Sequence, residues 1–392
     1  MKKKIIVFVT TNLSKWMYRS LYEEQFALKK KLEDYGYKVF LFGPGFKNCK
    51  NLNFKNYEKK YIKNKIDLFV LFGGEKFYFN GLSNQELKFF KLKLKDQNFI
   101  YQFQEYRDCK KIIHVNDFWH NNKYDWKILF NLYGITDVFS MYAPFNVSKK
   151  LFKEYFIDKK IHFHKYNRAI NLKYLSSIKK NLVRKRFYDA IMIGAVNKFY
   201  PFRLFTDKTL SNLKGIKYRK YEHPGYKFFN KGVKNLPIGK NYYSIMENAK
   251  IVITCGTKFR LPIPKIWEIM STGAVLIIDN VSIKKNLNLK NYNNYISANN
   301  NNLLSKIKDI ISNEKLRQKI SKNGMISSRR EYSLEKQSNY LLQVVNTIIS
   351  RKDQKKIKFK YSEIYFLKIM SFLLNSKIFI KKILTKIFMI NI

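Results

Sequence analysis

The sequence predicts an α/β protein: two successive domains with parallel sheets facing a cleft, and a helical C-terminal tail. Three observations predict it. Short β-branched and aromatic runs alternate with longer segments of helical periodicity, the pattern of strand–helix–strand units. The chain has 392 residues, too many for one ordinary core and enough for two domains of ~150–200 residues each. Hydrophobic residues make up 46% and aromatics 17%, so both cores can be filled. The expected organisation is a first domain over 1–177, a second over 178–350 and a basic tail over 351–392.

The elements follow in order. Residues 4–10 read as a buried strand. Ser14 is positioned to cap a helix that runs to about Tyr35 and stops at Gly36. Further strands are expected at 37–42, 66–72, 99–103, 111–115, 137–141 and 160–164. The basic stretch 178–186 reads as a linker. The second domain has strands expected at 188–194, 216–221, 250–255 and 274–279, and a helix-rich end after the asparagines at 299–302. In open α/β sheets, ligands bind outside the carboxyl ends of the strands, which directs the search for a site to the loops that follow them.

Composition removes several classes. The start, Met1-Lys-Lys-Lys-Ile-Ile-Val-Phe-Val, reads as a first strand and lacks the long apolar region of a leader. No run of about 18 uncharged apolar residues suggests a membrane span. Cys49, Cys109 and Cys255 are widely spaced and odd in number, which points to a reducing cytoplasm. The net charge is +49, from 77 Lys and Arg against 28 Asp and Glu. Only 12 of those cations are arginine, so 77 − 12 = 65 are lysine. Lysine, asparagine and isoleucine abound together, a signature of AT-rich coding. Base-specific readers rely on arginine forks, so specific nucleic-acid binding is not expected.

The most informative segment runs from Glu247 to Asp279 and reads as strand, glycine-containing loop, short helix, glycine turn, strand. Pro264 suits the first helical position. Backbone N–H groups of that turn, with Lys265 beside them, suit an anion. Glu268 lies one turn on, placed to accept hydrogen bonds from vicinal hydroxyls. Gly273 permits a tight turn into the next strand. Thr254 and Gly256 follow a buried strand toward the same place. Cys255 reads as a small buried residue rather than a nucleophile. A second segment, Tyr188 to Arg203, is a strand, a loop begun by Gly194 and a helix entered through Pro201, with Lys198 and Arg203 offering positive charge.

Lys265-Ile-Trp-Glu268-Ile-Met-Ser-Thr-Gly273-Ala-Val-Leu-Ile resembles the donor-binding helix of group-1 glycosyltransferases of the GT-B fold, and most of all the spore-maturation-protein-like branch with its Lys-x-x-Glu-x-x-x-x-Gly pattern. The closing helices from Asn302 to about Ser350 fit that family as well. The resemblance implies two Rossmann-like domains and a nucleotide-sugar donor. It implies that Glu268 binds the donor ribose, with Lys198, Arg203 and Lys265 on the diphosphate. Gly194, Thr254, Gly256, Arg260 and Gly273 complete the implied donor site. The wider family often has a second glutamate eight positions earlier. Arg260 stands there, either facing the diphosphate or as a solvated loop residue.

On the acceptor side, the strand end Lys111-Ile-Ile-His-Val-Asn-Asp117-Phe-Trp-His120 offers Asp117 and His120 as catalytic candidates, or an ordinary strand-end cap and a surface histidine. Asn116 occupies the place where the family often has a histidine. No Asp-x-Asp motif or metal-ligand spacing occurs, so metal-independent chemistry without a cofactor is expected. The tail 351–392 holds 11 Lys and Arg against Asp353 and Glu363, a net +9. Its pattern fits either an amphipathic helix on an anionic membrane surface or a helix packed on protein.

The expected function is transfer of a hexose-type sugar from a nucleotide sugar to a cell-surface glycan or lipid-linked acceptor, in the cytoplasm or on the inner face of the membrane. The alternatives are a non-catalytic glycosyltransferase-like binding subunit and a basic nucleic-acid-binding protein.

Overall fold

A computed structural model describes residues 3–12, 19–49, 52–72, 78–115, 118, 123–141, 161–223, 236–258, 260–279, 287–351 and, in the tail, 365, 368–370, 372 and 376. The chain forms two compact units. One comprises Met1–Asn12, Leu32–Tyr166 and Leu342–Ile392; the other comprises Leu13–Lys31 and Asn167–Leu341.

The first unit is built on a six-stranded sheet in the order β2-β1-β3-β4-β5-β6, every pair parallel. Its strands are β1 (Ile5–Val9), β2 (Lys38–Phe42), β3 (Leu68–Leu71), β4 (Lys110–Val115), β5 (Asp137–Ser140) and β6 (His162–Lys165). Every residue of β1, β3 and β5 is buried, as a parallel sheet covered on both faces requires. Helix α1 (Arg19–Asp34) stops at Gly36, whose φ of +108° is open to glycine. The N–H of Gly36 bonds Glu33 O and that of Tyr37 bonds Leu32 O, so two carbonyls of the last turn are satisfied. Ser14, expected as its cap, lies outside the described residues.

One expected strand is a helix. Residues 99–103 lie in a 3-10 segment, Phe99–Gln104. The aromatic content that suggested a strand reflects packing instead. Phe99, Ile100 and Phe103 are buried among Phe42, Phe54 and Phe69. The Gln102 side chain donates to Leu52 O and accepts from Phe54 N, which fixes the turn. Aromatics favour strands only where a pleated surface meets them.

The second unit has a five-stranded parallel sheet in the order β11-β10-β9-β7-β8. Its strands are β7 (Tyr188–Ile193), β8 (Tyr218–Tyr221), β9 (Ala249–Thr254), β10 (Val275–Ile278) and the two-residue β11 (Ile296–Ser297). Strand β11 is too short to show a period in the sequence. Helix α5 (Ile178–Leu182) and the arginines after it are fastened to this unit. Glu247 accepts from Ser176 N (2.8 Å) and Asn181 Nδ2 (3.1 Å) and pairs with Arg184 at 3.3 Å. Arg186 donates to Glu247 O and Ala249 O.

Residues 13–31 also belong here. Glu23 accepts from Lys173 Nζ (2.8 Å) and Tyr174 OH (3.0 Å), and buried Glu24 accepts from Ala169 N (3.0 Å). The closing helices are α9 (Leu303–Ser312), α10 (Glu314–Tyr332) and α11 (Leu334–Ser350).

The end of α11 is clamped in the first unit. Lys110 Nζ donates to the carbonyls of Ile348, Ile349 and Arg351 at 2.6–3.0 Å, a cation on a helix C-terminus. Arg351 reaches Asp137 at 3.0 and 3.3 Å, and His164 Nε2 lies 2.7 Å from the same carboxylate. Burial opposes ionisation of Asp137, but the hydrogen bonds of His164 and Thr136 and the charge of Arg351 hold its carboxyl below the usual range. This stabilisation is present above the unfolded carboxyl value and is lost as pH falls through the lowered folded value. Asp137→Asn should cost about 3–5 kcal/mol, as for removing one partner of a buried ion pair. It should also flatten the acid limb of stability against pH. Urea unfolding across the acid range measures both, and an unchanged midpoint would refute the clamp.

Candidate functional site

The strand order of the second unit reverses between β7 and β9, the two strands that flank the start of its sheet. Such a switch point is where open α/β sheets bind ligands, beyond the carboxyl ends of the strands. Gly194 follows β7 there and Gly256 follows β9.

Helix α6 (Pro201–Leu210) begins with proline at its first position and carries Arg203 under this edge. Arg203 is only 2% exposed. Its Nε and Nη2 donate to Thr254 Oγ1 at 3.2 and 3.0 Å, and Nη1 donates to Ala195 O at 3.1 Å. Its guanidinium stacks 4.2 Å from the Tyr200 ring centroid. Lys265 opens helix α8 (Lys265–Ser271) and comes to the same place. A Cβ on Gly194 would lie 2.9 Å from Lys265 Cε and 3.1 Å from Arg203 Nη1, at a φ of +119°. Glycine therefore lets two cations crowd one stretch of backbone.

Among the described residues neither cation has a carboxylate within ion-pair distance. Burial first, then the charge of Arg203, pushes the Lys265 ammonium down to about 8. Glu268 opposes that shift and Arg168 adds to it. Burial and the same two cations push His223, just after β8, down to about 4, so its ring is neutral at physiological pH.

Glu268 is tied into the cluster through a residue that the sequence did not single out. Tyr242, on helix α7 (Gly239–Glu247), donates to Glu268 Oε2 at 2.7 Å. Lys265 Nζ lies 3.4 Å from the same hydroxyl. Burial first, and then the Glu268 carboxylate, holds the Tyr242 phenol well above its ordinary value, so it stays protonated as the donor. The other carboxylate oxygen of Glu268 remains for a further donor.

Helix α8, which carries the charged residues Lys265 and Glu268, is fixed at both ends. Trp267 is stacked on Tyr332 (4.5 Å, 6°) and donates to Arg168 O at 2.8 Å. Arg329 donates twice to Ser271 O at 2.7 and 2.9 Å, capping the far end of the helix.

The remaining candidates fall into distinct places. Lys198 lies exposed on the loop after β7. Arg260 is exposed with φ +58°, in a tight turn closed by its N–H on Thr257 O. That loop meets the one after β7 through Lys258 N on Phe199 O. The Gly256 N–H is already given to Asp279 Oδ1 at 3.0 Å. Burial raises the Asp279 carboxyl, while Arg203 and Arg260 counter that rise. Cys255 is buried and its thiol is pushed up to about 11 by burial. Gly273 precedes β10 at the amino edge of the sheet, away from Lys265, with φ +74°; a Cβ there would meet Arg186 Nη2 and Met325 Sδ at 2.9 Å. Asp117 and His120 lie outside the described residues. Among the described residues no cluster of three or more His, Cys, Asp or Glu is placed to hold a metal ion.

No protein-family model and no curated protein matches the sequence. Solved structures do match in fold. A glycosyltransferase from Rickettsia africae superposes with a TM-score of 0.54 at 14% identity, over 90% of this chain and 100% of the other. Sucrose-phosphate synthase from Thermosynechococcus elongatus gives 0.53 at 10% identity, over 89% and 100%. HepE of Anabaena, in complex with UDP and glucose, gives 0.51 at 13% identity, over 88% and 99%. The chain therefore has the GT-B glycosyltransferase fold, with parallel sheets of six and five strands.

Arg203, buried, and Lys265, half-buried, have no carboxylate within ion-pair distance among the described residues, an arrangement suited to an anion, held best while Lys265 is protonated. Affinity should be full below pH about 8 and fall by up to about tenfold per pH unit above it, since one proton must then be taken up on binding. Sulfate is a suitable probe because its charge is constant over this range. Lys265→Met should weaken binding and abolish the slope; a slope that persists in the variant would remove Lys265 from the site.

Proposed function

We propose that the protein is a glycosyltransferase that binds a nucleotide sugar at the carboxyl edge of the second sheet. The observation that carries the reading is the pairing of a cation cluster, Arg203 with Lys265 at Gly194, with the carboxylate of Glu268 one helical turn away. A nucleoside diphosphate has that polarity: a dianionic diphosphate beside a ribose with two vicinal hydroxyls. Glu268 accepts from the ribose through the oxygen that Tyr242 does not use, and Arg203 and Lys265 stabilise the charge that develops on the leaving diphosphate. Lys198 and Arg260 lie on the two loops that border the cluster, and we assign both to the phosphate side. The neighbour HepE, with UDP and UDP-glucose in its complexes, supports a nucleotide-sugar donor.

The sugar goes to a glycan or lipid-linked acceptor, with Asp117 and His120 as candidates for the acceptor's proton. Because cations rather than a metal ion face the diphosphate in this reading, turnover should survive excess chelator. A non-catalytic binding subunit shares the donor site and differs only in releasing no nucleoside diphosphate.

A donor screen that detects released nucleoside diphosphate, run with and without EDTA, tests the activity. Glu268→Gln should lower nucleoside-diphosphate affinity by about 10- to 150-fold, the worth of a hydrogen bond to a charged acceptor of about 1.5–3 kcal/mol. Calorimetric titration of the folded variant measures this, and unchanged affinity would overturn the ribose assignment.

We further propose that the basic tail, 351–392, rests on an anionic membrane surface. At its described positions Tyr365, Ile369 and Phe372 are helical, exposed and spaced on one stripe. Among the described residues no helix is long and apolar enough to cross a membrane. Deleting 353–392 should leave a folded protein, because the clamp at Arg351 is retained, with at least about tenfold weaker sedimentation with anionic vesicles. Unfolding of the truncated chain would make the tail a packing element.

A further inference from the structure

Lys265 and Glu268 stand three positions apart on α8, the spacing at which opposite charges on a helix face one another and pair. Here they do not pair. Both are half-buried, and among the described residues no ion pair joins them. The hydroxyl of Tyr242, from α7, stands between them. It donates to Glu268 Oε2 at 2.7 Å and lies 3.4 Å from Lys265 Nζ. The same ammonium is 5.1 Å from the centroid of the Tyr242 ring.

Elements other than α8 set the place of that hydroxyl. The Tyr242 ring meets buried Tyr243 edge-on (5.3 Å, 75°), and Tyr243 stacks on Tyr174 (6.1 Å, 22°). Helix α7 ends at Glu247, whose carboxylate is bonded by Ser176 and Asn181.

The charged and titratable groups that face Lys265 are Arg203 on α6, Arg168 ahead of α5, Tyr242 on α7, His223 after β8 and Glu268 on its own helix. Beyond burial, Arg203 and Arg168 favour loss of its proton, while His223 is neutral and Tyr242 keeps its own. Glu268 is the acid among them that could neutralise the ammonium. Direct contact would answer the cation from within the protein and occupy the carboxylate. With a hydroxyl between them, one carboxylate oxygen and the remaining ammonium protons stay open to a ligand.

We propose that Tyr242 is a positioning residue whose hydroxyl holds the Lys265 ammonium and the Glu268 carboxylate apart, so that one ligand meets the first with an anion and the second with a hydroxyl. Naming that ligand a nucleoside diphosphate rests on the donor-site reading; the spacing itself does not.

The test is calorimetric titration of the full chain with sulfate, at constant ionic strength in chloride, counting the binding that Lys265→Met removes. Tyr242→Phe keeps the ring and deletes the hydroxyl. Lys265 and Glu268 then become each other's partners, and sulfate affinity at about pH 7 should fall by about tenfold, the worth of one hydrogen bond to a charged group. The pH at which binding begins to fall, about 8 in the native chain, should rise by about one unit, because a contacting carboxylate holds the ammonium proton. In a Glu268→Gln background the same Tyr242→Phe change should weaken sulfate by less than about threefold, and the upward shift should vanish. A merely structural tyrosine would give equal losses in the two backgrounds. Equal losses overturn the proposal, as does a Tyr242→Phe variant with an unaltered thermal transition, undiminished affinity and no shift. If the phenylalanine variant does not fold, Glu268→Gln decides alone: a carboxylate already held off changes sulfate affinity by less than about threefold, and a larger gain overturns the spacing. Titration with a nucleoside diphosphate keeps the two readings distinct. Its failure to bind a native chain that shows the sulfate pattern removes the nucleotide and leaves the spacer.

Discussion

Arg203 and Lys265 converge on the backbone of Gly194 with no carboxylate within ion-pair distance among the described residues, and the second unit is arranged to hold them there. Each would leave if it were free to do so, because a cation loses solvation on burial that only a counter-charge restores. Thr254 and the carbonyl of Ala195 fork the guanidinium in place. Tyr242 receives the ammonium on one side and gives its proton to Glu268 on the other. Behind them, α8 is fixed by Trp267 on Tyr332 and by Arg329 on its last carbonyls. Lys265 responds in the one way still open, by releasing its proton more readily. An anionic ligand would reverse that response, so ligand charge and lysine protonation are linked.

The contrast with the other buried charges separates function from architecture. Asp137 opens β5 and is met by His164, Thr136 and Arg351. Glu247 lies just before β9 and is met by Ser176, Asn181 and Arg184. Both clusters sit at the amino edges of their sheets and both have their charges answered from within the protein. The cluster at Gly194 sits at a carboxyl edge, and among the described residues no ion pair answers its charge. A cation cluster at a switch point is where an anionic ligand would be sought, whereas the two satisfied clusters serve the fold.

Much of the fold was legible because its signals are local. The fully buried strands β1 and β3 are apolar runs bounded by turn residues, and Gly36 and Pro201 mark helix ends through their own backbone preferences. The segment 99–103 was misread because aromatic residues serve helical and extended packing alike. Within the site, Lys265 and Glu268 could be associated because one helical turn joins them. Arg203 was legible through the strand, glycine and Pro201 that precede it. Tyr242 was not: 26 positions separate it from Glu268, and an amphipathic helix reveals which face is buried but not what that face meets. The same limit hid Arg168 and the docking of residues 13–31 into the second unit, since a tertiary partner leaves no mark on the local pattern.

The excess of lysine sharpens the meaning of the few arginines. With 65 lysines against 12 arginines, the composition alone makes arginine an improbable choice at any position. Yet the described arginines are concentrated where a planar fork is needed. Arg186 holds two carbonyls across the amino edge, Arg317 caps the end of α9, Arg329 caps α8 and Arg351 clamps Asp137. A lysine in those places would supply the charge without the fixed, planar direction of a guanidinium. Arg203 follows the same rule, since its two donors on Thr254 and one on Ala195 fix a direction as well as a charge. Arg260 departs from it, being exposed in a left-handed turn at the loop that borders the cluster. Most of the +49 is therefore solvated lysine, while several of the described guanidinium groups are committed to fixed hydrogen bonds within the fold.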